Sequence, residues 1–332
     1  MSETRITNII VPEVFYPYVK EESLNRNPFF QSGIVTVVPT INDFLSGGGK
    51  TSNIPFWKDL TGDSDVPSET VDTTVNPITT DKMIAVRQIR EKAWGANTLS
   101  AILAGASPLQ AIGDRVAGFW ALALQNNLIY CIRGIIADNV ADDSSSLVVD
   151  IAIEDGNAAT SANKISATQT IEAIMKMGDQ FGNIKAIAVH SMVYKTMVLN
   201  DLIDYVQDST TKVMIPFYIG LRVIVDDNLP VIAGGTSGYK YHSYLFKPGA
   251  IGYGESANNI VPIEPFRNPK VGAGVDELYT RRQYAFAPVG FSWNKADNSA
   301  ISPADGDLYA ATSWDRVFNL KNTGVVCIVS NG

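Results

Sequence analysis

The run Gly47-Gly48-Gly49-Lys50-Thr51 places glycines, a lysine and a hydroxyl in the order that can cradle a phosphate. A phosphate loop needs a further glycine five residues before Gly49, and Phe44 stands there, so the glycines instead suit positive-φ backbone at a ribbon tip. Gly249, Gly252 and Gly254 in PGAIGYG miss the dinucleotide spacing and precede no helical pattern; they read as strand irregularities. The two histidines, His190 and His242, each lie beside apolar strand residues, where an imidazole is more often structural than catalytic. Ser191 lacks the GxSxG elbow of a nucleophile and reads as a helix cap. The acid pairs Asp63 and Asp65, Asp142 and Asp143, and Asp226 and Asp227 lack calcium-loop spacing, which leaves them as solvated loop acids. Cys131 and Cys327 form no CxxC pair and read as buried structural residues. No catalytic, cofactor-binding or metal-binding set emerges, and no cofactor is expected.

The chain that carries these residues has 332 positions, 45% hydrophobic and 18% charged, enough for a sizeable core and more than one compact region. Its 26 Lys plus Arg against 34 Asp plus Glu give a net charge of −8, so no basic surface is offered for gripping nucleic acid. No apolar run reaches membrane-spanning length, the polar start MSETRITN lacks a signal pattern, and no glycosylation sequon occurs. The expectation is a cytosolic product.

Residues 107–136, SPLQAIGDRVAGFWALALQNNLIYCIRGII, form the strongest element signal. Ser107 and Gln110 make a capping box around Pro108, and Leu109, Ile112, Val116, Trp120, Leu124, Leu128, Ile132 and Ile135 recur on one stripe. The pattern predicts a long helix with one core-facing side. Residues 1–32, with Pro12, Pro17 and Pro28 among aromatics, read as an arm without a compact helix. From Gly33 to about Glu91 come a strand IVTVV, the glycine tip, a strand around IPFW, a polar stretch and a return strand MIAVRQI. A two-stranded ribbon is marginal alone, so a neighbouring subunit is expected to supply the surface that arm and ribbon bury. An acidic hinge over 138–146 leads to strands LVVDIAI, IKAIAV, LRVIVDD, YHSYLFK and AIGYG, with helices over SATQTIEAIMKMGDQFG and from Ser191 onward. Residues 276–293 read as an extended segment broken at Pro288, followed by a helical TSWDRVF and a strand GVVCIVS.

This order, together with IPFWKDLTGDSDVP, REKAWGANTLSAILAGASPLQAIGDRVAGFWA and LYTRRQYAFAPVGFSW, resembles the tailed-phage major capsid protein family with the HK-ninety-seven-like fold. The resemblance implies an α+β fold with an N-terminal arm (1–32), an extended β-ribbon loop (33–91), a peripheral domain with the long spine helix (92–140 and 255–312), and an α/β axial domain (141–254 and 313–332). It implies a structural, non-enzymatic coat protein that self-assembles through hexamers and pentamers into an icosahedral head around double-stranded DNA. Implied partners are other copies, a separate scaffolding protein, a portal and a decoration protein, with DNA touched non-specifically at most. The protein would be assembled in the host cytoplasm and end in the virion. Two alternatives are an encapsulin-type compartment, which would load a cargo enzyme, and an enzyme, which would show a deep pocket with convergent polar groups.

The candidate intersubunit contacts are Phe15 on the arm, Phe56, Trp57 and Lys58 on the loop, Arg87 on its return strand, and Arg281. The candidates for structure within the subunit are Ser107, Asp114, Trp120 and Arg282. Strand alternation puts Arg282 on an apolar face with Leu278, Tyr284 and Phe286, where its charge needs a carboxylate such as Asp114, and puts Arg281 on a polar face with Tyr279 and Gln283.

Overall fold

The structure, a computed structural model, describes residues 12–97, 108–207, 214–270, 274–295 and 301–332, apart from scattered positions between 59 and 76. The chain opens with helix α1 (Pro12–Asn25) and a helical turn α2 (Pro28–Gln31). This corrects the expectation of an arm without helix. Pro28 sits at the first position of α2, where its missing N–H costs nothing, and the Asn27 side chain accepts from Phe29 N at 3.0 Å. Strand β1 (Val35–Val37) follows, then a helix that periodicity missed, α3 (Pro39–Ser46).

The ribbon consists of β2 (Thr51–Trp57) paired antiparallel with β3 (Thr80–Val86). The IVTVV segment is not part of it, because β1 runs parallel to β12 (Ile251–Glu255) in another sheet. The glycines at 47–49 therefore lie at the ribbon's base after α3, where Gly49 takes a φ of 107°. The return strand breaks at Arg87, beyond which β4 (Gln88–Asn97) pairs with β14 (Val275–Pro288).

Helix α4 (Pro108–Ala141) is the spine. Ser107 lies outside the described residues, as does the side chain of Asp114. The expected stripe from Val116 to Ile135 is buried throughout. The C-terminal half is also enclosed on other sides, since Asn127, Ile129, Cys131, Ile136, Asp138 and Asn139 are buried too. The expectation of a single core-facing side thus holds only toward the N-terminal half. The hinge begins four residues later than expected, at Asp142, because Asp138–Ala141 continue the helix.

Two main sheets flank the spine. The first holds β1, β12, β14, β13 (Ile263–Asn268) and β4. The second holds β5 (Val148–Asp150), β17 (Val325–Ser330), β11 (Tyr239–Phe246), β6 (Ala186–Val189), β9 (Leu221–Val225), β8 (Met214–Tyr218) and β7 (Asp204–Gln207), in that order, with β10 (Val231–Ala233) beside β11. Helices α5 (Ala167–Met175) and α6 (Ser191–Leu199) belong to this second region. A small pair, β15 (Phe291–Trp293) with β16 (Trp314–Arg316), replaces the helix expected over TSWDRVF, with the turn α7 (Asp305–Leu308) ahead of it.

Several sequence readings change at this level. Gly252 and Gly254 are close-approach positions, not irregularities: a Cβ on Gly254 would lie 2.6 Å from Ile41 of α3. The N-cap of α6 is His190, whose Nδ1 accepts from Met192 N at 3.2 Å, and Ser191 is the first helical residue. His242 is largely buried beside β17, and burial, with Arg133 nearby, depresses its imidazole to about 4. Both cysteines are buried, as expected.

Candidate assembly surface

The long strand β14 organises the candidate residues. Its alternation puts Leu278, Thr280, Arg282, Tyr284 and Phe286 on one buried face. Arg282, 2% exposed, has Glu255 at the end of β12 as its carboxylate partner among the described residues. Nε donates to Glu255 Oε1 at 2.8 Å and Nη2 to Oε2 at 2.6 Å, a bidentate fork, while Nη1 donates to Ser23 Oγ of α1 at 2.7 Å. Tyr16 of α1 donates to the same carboxylate at 3.0 Å, and Tyr253 of β12 donates to it as well. Burial alone would raise the Glu255 carboxyl, but the charge and hydrogen bonds of Arg282 outweigh it and hold it below the ordinary range. The guanidinium, in turn, is kept charged by Glu255 against its own burial.

Trp120 closes this joint from the spine. It packs with Val19, Val116, Ala117, Ile263 and Leu278, its Nε1 donates to Thr280 Oγ1 at 3.1 Å, and its ring lies 5.9 Å from the Arg282 guanidinium carbon. The arm is therefore fastened to the spine and the first sheet of its own chain. Phe15, expected at a neighbour, packs partly buried against this same cluster. Sequence reasoning missed Tyr16, Ser23, Tyr253 and Glu255. The available signal was an acid ending the apolar strand AIGYGE on the same face as Tyr253.

Arg281 points the other way and bridges Glu91 and Glu264, each at 2.9 Å, within its own chain. Gln283, assigned to the polar face, is buried: its amide donates to Leu45 O at 2.7 Å, because α3 covers that end of β14. Arg87, expected at a subunit contact, is also committed internally. It is 6% exposed, donates to Phe44 O and Gly47 O at 3.2 and 2.8 Å, and lies over the Phe44 ring. It ties the ribbon's base to the end of α3.

The ribbon itself presents a different surface. Phe56 turns back onto its own chain and meets Phe318 edge to face, with ring centroids 4.5 Å apart. Trp57 next to it is 65% exposed, and Lys58 pairs with Asp81 across the ribbon at 2.9 Å. Phe56, Trp57, Lys58, Thr79, Phe318 and Asn322 line an open recess of about 430 Å³. Further out, Leu60, Val66 and Val75 are each at least 79% exposed. Among the described residues no cluster of ligating side chains could hold a metal, and no helix is long and apolar enough to cross a membrane.

Comparison with known proteins is consistent across sequence and structure. The family of Gp13-like proteins, described as major capsid protein 13-like, matches residues 56–326. The major capsid protein of Bacillus phage SPP1 is 35% identical over 330 residues, covering 98% of each chain. Among solved structures, the capsid of Ralstonia phage GP4 superposes with a TM-score of 0.58 at 9% identity, covering 92% of each chain. A solved structure from Mycobacterium phage Che8 superposes with a TM-score of 0.53 at 12% identity, covering 89% of each chain.

Proposed function

The chain belongs to the Gp13-like family of tailed-phage major capsid proteins, and from that premise we propose that it builds the head through its ribbon, with Trp57 as an anchor on a neighbouring copy. It is a coat protein with the HK-ninety-seven-like α+β fold, a structural component of the icosahedral capsid that self-associates into a shell. The observation that carries the proposal is the exposure of Trp57 beside an open, aromatic-walled recess, on a two-stranded ribbon beyond which Leu60, Val66 and Val75 are each at least 79% exposed. A large aromatic contributes most when a partner desolvates it.

In this reading copies close into hexamers and pentamers, a separate scaffolding protein guides them, portal and decoration proteins join the shell, and assembly occurs in the host cytoplasm. The division into arm, loop, peripheral and axial regions is kept as part of this reading, with the loop narrowed to the β2–β3 ribbon, since β1, β4 and β12 pair within the first main sheet. Lys58 contributes at the ribbon contact beside Trp57; Phe15, Phe56, Arg87 and Arg281 hold the contacting elements in place. The chemistry is that of association, without catalysis. Packaged DNA faces a chain of net charge −8 and is confined more than gripped. Electron microscopy and mass photometry of the purified protein with its scaffold should show closed shells. A species that stays monomeric under all such conditions would overturn the reading.

A further inference from the structure

A chain of contacts joins the end of the spine helix to the seat of the ribbon. Trp314 of β16 lies against Gly134 of α4, where a Cβ would come within 2.4 Å of its indole nitrogen, and its Nε1 donates to Leu308 O at 2.7 Å. Two residues on, Arg316 forks onto Asp143 with Nε and Nη2, both at 2.7 Å, and its Nη1 donates to Phe318 O at 2.8 Å. Val317 N and Phe318 N donate to Gly290 O at 2.9 and 3.2 Å, and Phe318 carries Phe56 of the ribbon. From β15, Ser292 Oγ accepts from Ile84 N of β3 at 3.0 Å. The pair β15–β16 is thus a bracket with the spine on one side and the ribbon on the other.

At the spine end of the bracket sits Asp138, 2% exposed in the last turn of α4. The charged groups around it are Asp142 on its own helix end, Asp143 in the following turn, and Asp315 and Arg316 on β16. Four carboxyls therefore share one guanidinium, and that guanidinium is already committed to Asp143 and Phe318. The negative end of the helix dipole disfavours a further anion there. We propose that Asp138 is a proton-operated latch, whose neutral form leaves the Asp143–Arg316 fork intact and whose ionised form loosens the fork and, through it, the bracket's hold on the ribbon.

Burial first, then repulsion from Asp143, Asp315 and Asp142, pushes the Asp138 carboxyl up to about 7, with Arg316 opposing. The folded chain therefore keeps a proton that the unfolded chain has lost. The contribution of Asp138 to stability falls as pH rises from the ordinary aspartate range toward about 7 and is flat above it.

The test is amide hydrogen exchange on the full-length free subunit, corrected for intrinsic exchange rates, at about pH 5.5 and about pH 8.5. In the wild type, protection at Ile84, Val317 and Phe318 should drop several-fold at the higher pH. Asp138→Asn should hold the protected level at both. A wild-type pH response in Asp138→Asn overturns the latch. Asp315→Asn, a change at an exposed position, removes one charge that repels the Asp138 carboxylate, so Asp138 should ionise, and the bracket loosen, at lower pH than in the wild type; an unmoved midpoint or a shift to higher pH overturns the latch. Arg316→Lys keeps the charge but not the fork, and should leave the bracket amides weakly protected at both pH values. Wild-type protection in that variant would show that the coupling does not run through Arg316. None of these readouts depends on shell formation.

Discussion

At the Arg282 joint three guanidinium nitrogens each donate to partners in the same chain, the carboxylate of Glu255 is enclosed, and Trp120 seals the edge. On the ribbon, by contrast, one aromatic folds back onto Phe318 while its neighbour Trp57 stands 65% exposed, and the outer apolar residues are more exposed still. The joint is complete within one subunit, so removing part of it should destabilise the subunit's fold. The ribbon's outer surface is incomplete, so changing it should spare folding and affect association. The same chain thus separates residues that make the subunit from residues that join subunits.

The largest effect that could break this contrast lies at Arg282. Arg282→Ala leaves Glu255 charged and enclosed, and should cost about 3–5 kcal/mol in chemical denaturation. A loss indistinguishable from that of a surface substitution would mean that the joint is not a closed unit. A second probe is acid. Because Glu255 is held below its ordinary range, its contribution is fully present above the unfolded glutamate value and is lost as pH falls through the lower folded value. Denaturation series at decreasing pH should therefore show weakening in this acid window, and Glu255→Gln should flatten that part of the dependence. Phe56→Ala should have a smaller effect, about 0.5–1.5 kcal/mol beyond the lost area for the edge-to-face pair, read as faster exchange at the Phe56–Asp81 end of the ribbon with the two main sheets unchanged. Arg281→Ala should be mildest, about 0–1 kcal/mol, because its two acid partners are exposed. Equal melting temperatures for Arg281→Ala and Arg282→Ala would defeat the strand assignment.

The strand alternation of 278–286 placed Arg282 inside and Arg281 outside, and the spine's apolar stripe was readable from spacing alone. Both depend on local periodicity, which a single sequence records. Glu255 as the partner of Arg282 was not readable, since the two meet only because β12 pairs with β14 in a register that no local pattern encodes. The helix over 12–25 was hidden by Pro17, which argues against helix locally but is tolerated once α1 packs on the spine. Arg87 and Phe56 looked like contact residues because their types suit interfaces; the covering of one by α3 and the other by Phe318 is tertiary information. IVTVV was a strand in the right place with the wrong partner, for the same reason.

The most direct test of the division between folding and association is Trp57→Ala, assayed in parallel for melting temperature and for shell yield by electron microscopy. The expected result is a melting temperature close to wild type together with a marked loss of closed shells. Wild-type shell yield from that variant would contradict it.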